Sequence, residues 1–145
     1  MKLRSALFVA LMCLASALLQ AQTPVGEWKT IDDATGKEKS IVRIAETAGV
    51  LNGKVEKGLD PAQLADSRCD ACTDSRKGQP IVGMTIIRNV KKNEAVWEGG
   101  DILDPNNGKI YRVRLTPSSD NKTLEVRGYI GMPLLGRTQT WVRVE

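Results

Sequence analysis

The chain of 145 residues contains no histidine. That excludes the Ser-His-Asp and Cys-His catalytic arrangements, the imidazole proton shuttle and any metal site that depends on imidazole. Aromatic residues make up only 4%, three Trp, two Tyr and one Phe, so each carries a large share of any core or binding site. The one long uncharged and mainly apolar run, Ala6 to Leu19, is shorter than the roughly 20 apolar residues that cross a bilayer, and no later segment approaches it. Blocks of one charge, low-complexity tracts and internal repeats are also missing. The formal net charge is +4, and the two signs are interleaved, as with Arg112 and Arg114 beside Glu125 and Arg127. No basic stripe results, so nucleic acid is not an expected partner.

What is present begins with a three-part leader. Lys2 and Arg4 give a positive start, the apolar run follows, and Leu19-Gln20-Ala21 supplies a small-residue cleavage site. This layout is that of a secretory signal peptide over residues 1–21, leaving residues 22–145 as one domain. The expected location is periplasmic or secreted, with no membrane span after cleavage. The remaining 124 residues suit one compact unit that buries about two-thirds of its unfolded surface.

Strand patterns dominate that unit. Over 109–116, Tyr111, Val113 and Leu115 alternate with Arg112 and Arg114, a period of two that fits a half-buried strand. Runs of β-branched and apolar residues at 25–31, 39–46, 50–56, 81–90, 95–103, 123–131 and 138–144 bring the total to eight. Turn-forming residues separate them, among them Asp32-Asp-Ala-Thr-Gly36, Lys91-Lys-Asn93 and Asp104-Pro-Asn-Asn-Gly108. Most of these links are too short for a crossover helix, so neighbours pair antiparallel in sequence order. The exception is the 58–80 segment, where Pro61 is placed to start a short helical turn over 60–65. Eight strands in a meander leave two exposed edges unless the last meets the first. The expected fold is therefore all-β, an eight-stranded antiparallel up-and-down barrel, whose interior is either filled or just roomy enough for one small ligand.

Three segments are distinctive: 124–144, reading LEVRGYIGMPLLGRTQTWVRV; Gly83-Met-Thr-Ile-Ile87; and 99–111, reading GGDILDPNNGKIY. With them the chain resembles the small secreted bacterial proteins catalogued as domain of unknown function 2147. The resemblance implies a lipocalin-like, calycin-type barrel and an exported location, and it brings no settled activity. Gly26-Glu-Trp28 near the start and Trp141-Val-Arg143 near the end are similar to the lipocalin signature. The similarity implies that Gly26 permits close approach, Trp28 plugs one end and Arg143 lies over its indole, with Trp141 beside them.

The remaining candidates are read from the residues. Cys69 and Cys72 are the only cysteines left once Cys13 departs with the leader, which points to a local disulfide in an oxidising compartment. A redox pair would follow a βαβ unit, absent here. A zinc site would have to borrow Asp66, Asp70 or Asp74; neither a metal nor another cofactor is expected. Glu98 and Asp101, three apart on one strand, are aimed at opposite faces, against two-carboxylate catalysis. Asp32, Asp33 and Asp104 suit turns. The apolar 131–136 loop should cost solubility if left in water. It reads either as a lid over one barrel mouth or as an entrance lip offering Met132, Leu134 and Leu135 to a ligand or partner, with Trp97, Tyr111 and Tyr129 lining the space beneath. The leading expectation is a non-catalytic binder of a small hydrophobic or amphipathic ligand. A filled barrel acting as an envelope interaction module is the alternative, and a thiol-redox or other enzyme the third.

Overall fold

The computed structural model describes residues 21–61 and 66–145. The leader through residue 20 lies outside the described residues, and so does most of the expected helical turn, at 62–65. Eight strands follow one another: β1 (Gly26–Ile31), β2 (Glu38–Thr47), β3 (Val50–Gly58), β4 (Thr85–Asn93), β5 (Val96–Leu103), β6 (Ile110–Pro117), β7 (Thr123–Tyr129) and β8 (Arg137–Arg143). Each pairs antiparallel with the next, and β8 returns to β1 to close the barrel. The expected topology is therefore the observed one. One 3-10 turn, Pro133–Leu135, lies between β7 and β8.

Alternation decides what faces inward. Val42 and Ile44 on β2, Leu51 and Val55 on β3, Val113 and Leu115 on β6, and Leu124 and Val126 on β7 are all buried in one core, while Arg43, Lys54, Arg114 and Glu125 between them point outward. Burying an aliphatic side chain of this kind stabilises by about 1.5–3 kcal/mol relative to exposure, and a one-residue slip would turn the whole set outward. The register is thus held by the pattern itself.

One segment departs from the alternation expected of it. Ile81 and Met84, read as the start of a strand, are buried in the core but lie in the connection before β4. The pairing with β3 is irregular from Leu51 to Lys54, so the strand ladder begins only at Thr85.

The seam between β1 and β8 is short. Only Trp28↔Arg143 and Lys29↔Val142 are in register there, whereas β7 and β8 hold six pairs from Thr123↔Val142 to Gly128↔Arg137. Beyond Lys29 the two strands part, and the parting opens toward the end of the barrel that carries the 32–37 and 104–109 turns.

Candidate functional site

The two ends of the barrel differ in kind. At one end Trp28 is fully buried, its indole N–H donating to the carbonyl of Pro24 at 2.7 Å. The Arg143 guanidinium lies 4.0 Å from the ring centroid. Its nitrogens donate to the carbonyls of Asn121 (2.6 Å), Val25 (2.9 Å) and Thr23 (2.9 Å) and to Asn121 Oδ1 (3.0 Å). Burial of this cation lowers its pKa. Gly26 adopts φ +134, and a Cβ there would overlap Arg143 Nη1, so only glycine leaves the guanidinium its place. Gly26, Trp28 and Arg143 thus sit together at this end of the barrel.

The other end holds a cleft of about 400 Å³. Its inner surface is apolar: Val55, Ile86, Ile102, Leu103, Val126 and Trp141. Tyr111 and Gly128 form part of one wall. A buried hydroxyl pair, Thr30 Oγ1 and Ser40 Oγ at 2.8 Å, forms part of another. The rim is polar, with Asp32, Asp33, Lys39, Asp104, Arg137 and Gln139. Such a combination, an apolar interior with a few polar groups at the entrance, is the ordinary chemistry of a small-molecule site.

The rim groups are already organised. Asp32 Oδ1 accepts from the backbone of Ala34 and Thr35 and from the Thr35 hydroxyl, which holds its carboxyl below the usual range. Asp104 Oδ1 accepts from the Asn106 N–H. Both behave as the turn residues the sequence suggests. Asp33 differs, because it reaches across to β8: its Oδ2 accepts from Arg137 Nη2 at 2.9 Å and from Gln139 Nε2 at 3.1 Å. Gln139 Oε1 in turn accepts from Trp141 Nε1 at 3.1 Å. Side chains therefore bridge the part of the seam where backbone pairing stops.

The six proposed ligand contacts are separated by the structure. Tyr111 lines the cleft. Trp97 is buried near the start of β5, beneath Lys92 at 5.4 Å, in the half of the barrel away from the cleft. Tyr129 follows the inward Gly128 and so faces outward, buried beside Gly136. Met132, Leu134 and Leu135 are exposed, Leu134 to 82%. The expectation of a lid is corrected: the 131–136 loop covers no mouth. Arg127, on the outer wall, donates to the carbonyls of Pro133 (2.6 Å) and Leu134 (3.3 Å), and these bonds draw the loop outward. Trp141, grouped with the closing motif by its sequence position, lines the cleft instead.

A second correction concerns Glu98 and Asp101. The pairing of β5 with β6 slips between Trp97 and Gly100, and Gly99 has φ +86. The extra residue of this bulge returns both carboxylates to the outer face. There Glu98 accepts from Asn93 and Arg114, which lower its pKa, and Asp101 accepts from Arg88. They serve separate ion pairs on the wall.

The cysteines form the expected disulfide, with Cα atoms 5.5 Å apart. Both are fully buried and belong to the core. Their loop packs against the 104–109 turn: Cys69 Sγ lies 3.5 Å from the Pro105 carbonyl, and a Cβ on Gly108 would collide with the backbone of Ala71. Among the described residues no cluster of three or more Cys, Asp or Glu could hold a metal ion, and no helix is long and apolar enough to cross a membrane.

Sequence reasoning missed Gln139, Asp33 and the Thr30 and Ser40 pair. A signal was available for Gln139, a polar residue two before Trp141 and hence on the same inner face. No comparable signal marks Asp33, whose reach depends on how β1 and β8 diverge.

No curated protein matches the chain. A solved structure from Helicobacter pylori, protein HP1028, described as belonging to the lipocalin family, superposes with a TM-score of 0.74 at 21% identity, covering 86% of this chain and 85% of that one. The similarity is one of fold. Residues 26–143 match the family described as "Uncharacterized protein conserved in bacteria", domain of unknown function 2147, and the chain, a lipocalin-like eight-stranded barrel, belongs to that family.

Proposed function

We propose that the protein is an exported, non-catalytic carrier that holds the apolar part of a small amphipathic molecule in the end cleft of its barrel. The observation that carries this reading is the cleft itself: about 400 Å³, within the range of roughly 300–1,000 Å³ usual for small-molecule sites, apolar within and polar at the rim. A guest would place its tail against Val126, Ile102 and Trp141 and its polar end between Lys39 and Asp104. Export is supported by the leader pattern and by a disulfide of the kind that persists in oxidising compartments. A non-catalytic role is supported by the engagement of Asp32, Glu98, Asp101 and Asp104 in turns and ion pairs.

Titration of the mature protein with decanoate and with anilinonaphthalene sulfonate, followed by tryptophan fluorescence, tests the proposal. A saturable change at micromolar ligand is expected, much reduced in Trp141→Phe. Gly128→Leu should abolish it, because a side chain there points into the cleft and its Cβ meets Tyr111 Cβ at 3.4 Å without a positive φ to strain it. If the wild type shows no saturable change, or if Gly128→Leu binds as well as wild type, the carrier reading fails.

A further inference from the structure

The apolar loop between β7 and β8 is displayed to solvent. Ile130 (64%), Met132 (61%), Leu134 (82%) and Leu135 (75%) are the most exposed large apolar side chains among the described residues, and they fall within six consecutive positions. Surface apolar residues scattered singly need no explanation, but a contiguous set at one tip marks an interaction site. The tip is also fixed in this presentation. Pro133–Leu135 form the 3-10 turn, the Gly136 N–H closes onto the Pro133 carbonyl at 3.3 Å, and Arg127 holds the carbonyls of Pro133 and Leu134 while its third nitrogen donates to Thr138 Oγ1 at 2.7 Å. With these backbone acceptors satisfied from the barrel side, the apolar side chains are left on the outside.

Cations gather around the tip, and two carboxylates near them, Asp101 opposite Arg112 in the β5–β6 register and Asp33, are already paired with Arg88 and Arg137. Arg112 stands opposite Tyr129 in the β6–β7 register, directly below the loop. Lys109 precedes Ile110, itself 38% exposed at the top of the neighbouring strand. Arg127 lies under the turn. None of these three cations enters an ion pair among the described residues. Arg137, where the loop ends, is matched by Asp33.

We infer that this loop docks the protein on the surface of a bilayer containing anionic phospholipid. Apolar side chains of this number suit shallow insertion at the headgroup boundary, and a collar of unpaired Lys and Arg suits the negative surface potential of such a bilayer. Arg127 and Arg112 would sit at headgroup depth while Leu134 and Leu135 pass beyond it. Gly128 and Arg137, on either side of the loop, both line the cleft, so docking sets the mouth beside the membrane. The inference goes beyond the carrier reading and does not require an occupied cleft.

Flotation of the mature protein with vesicles of phosphatidylcholine alone, and of equal parts phosphatidylcholine and phosphatidylglycerol, tests it. Binding to the anionic vesicles is expected, weakening as salt is raised, with little binding to the neutral ones. Leu134→Ser with Leu135→Ser should reduce binding by about tenfold or more, from the apolar burial lost, with circular dichroism and Tm unchanged because both side chains already face water. Arg112→Glu should weaken binding to anionic vesicles alone. No flotation of the wild type, or equal flotation of the double variant, overturns the inference, as does retention of a protein partner by the loop in the absence of any vesicle binding. Dye binding in the cleft should survive the double Leu variant, and vesicle binding should survive Gly128→Leu, so the two readings fail separately.

Discussion

Arg143 and Trp28 face each other across the last pairing that joins β8 to β1, with 4.0 Å between the guanidinium carbon and the indole centroid. The contact closes the barrel in two senses. It ties the final strand to the first, and through four hydrogen bonds it also ties both to the chain before β1 and to the 118–122 turn.

Arg143→Lys should therefore destabilise the protein although charge is kept. An ammonium cannot reach several carbonyls in a fork, and those left without a donor are partly buried. A loss of about 2 kcal/mol is expected in urea unfolding. Gly26→Ala should act at the same place, through the overlap with Arg143 Nη1 and the strained φ. Because the two changes share one contact, the double variant should lose less than their sum. Simple additivity would show that Gly26 matters for its backbone alone.

The barrel was legible in the sequence because strands half-exposed to water must alternate, and short turns leave few ways to connect them. A strand overlaps each of the eight runs in the sequence, and Gly26, Trp28 and Arg143 meet where the two termini of the barrel come together. The cleft was less legible. Its existence depends on β1 and β8 parting after Lys29, and no single residue announces that. Side-chain direction failed where the period is broken, as with Glu98 and Asp101 on either side of the bulge at Gly99. The outward set of the 131–136 loop depends on Arg127, a residue indistinguishable in sequence from the other arginines of the wall.

Acid should loosen the 66–84 segment before the barrel. Asp74 accepts from Arg76 through both carboxylate oxygens, and this pairing lowers its pKa from 3.8 to about 2. Arg76 also donates to the Thr85 carbonyl at the start of β4. A depressed folded-state pKa means that the contribution is present above about pH 4 and is lost as pH falls toward 2. Allowing for a carboxylate 29% exposed, it amounts to about 1 kcal/mol. In Arg76→Gln the Asp74 carboxyl, followed by NMR, should titrate nearer 3.8; an unmoved titration would show that Arg76 does not set it.

The disulfide should behave as a structural brace. Both cysteines are shielded from solvent and packed against the 104–109 turn, and thiol exchange requires a thiolate to reach a sulfur atom. Native protein should resist dithiothreitol at concentrations that reduce the urea-unfolded chain readily. Replacing both cysteines with serine should cost about 2 kcal/mol for so short a loop and leave the barrel folded. Rapid reduction of the native state, with turnover against a disulfide substrate, would instead favour a redox role.

Asp33 should govern how readily the cleft exchanges a guest. Above Lys29 no backbone pairing joins β1 to β8, and the gap is crossed by Asp33 with Arg137 and Gln139, the latter also holding the Trp141 indole. The ion pair is exposed, 70% at Arg137 and 42% at Asp33, so Asp33→Ala should cost less than about 1 kcal/mol of stability. Its effect on access should be larger, because Gln139 loses its anchor and the indole beneath it loses a fixed acceptor. Trp141 emission should shift to the red, and stopped-flow entry and release of anilinonaphthalene sulfonate should both accelerate severalfold with little change in Kd. A change in Kd with unaltered rates would place Asp33 in contact with the guest, and no change in either would show that the seam plays no part in access.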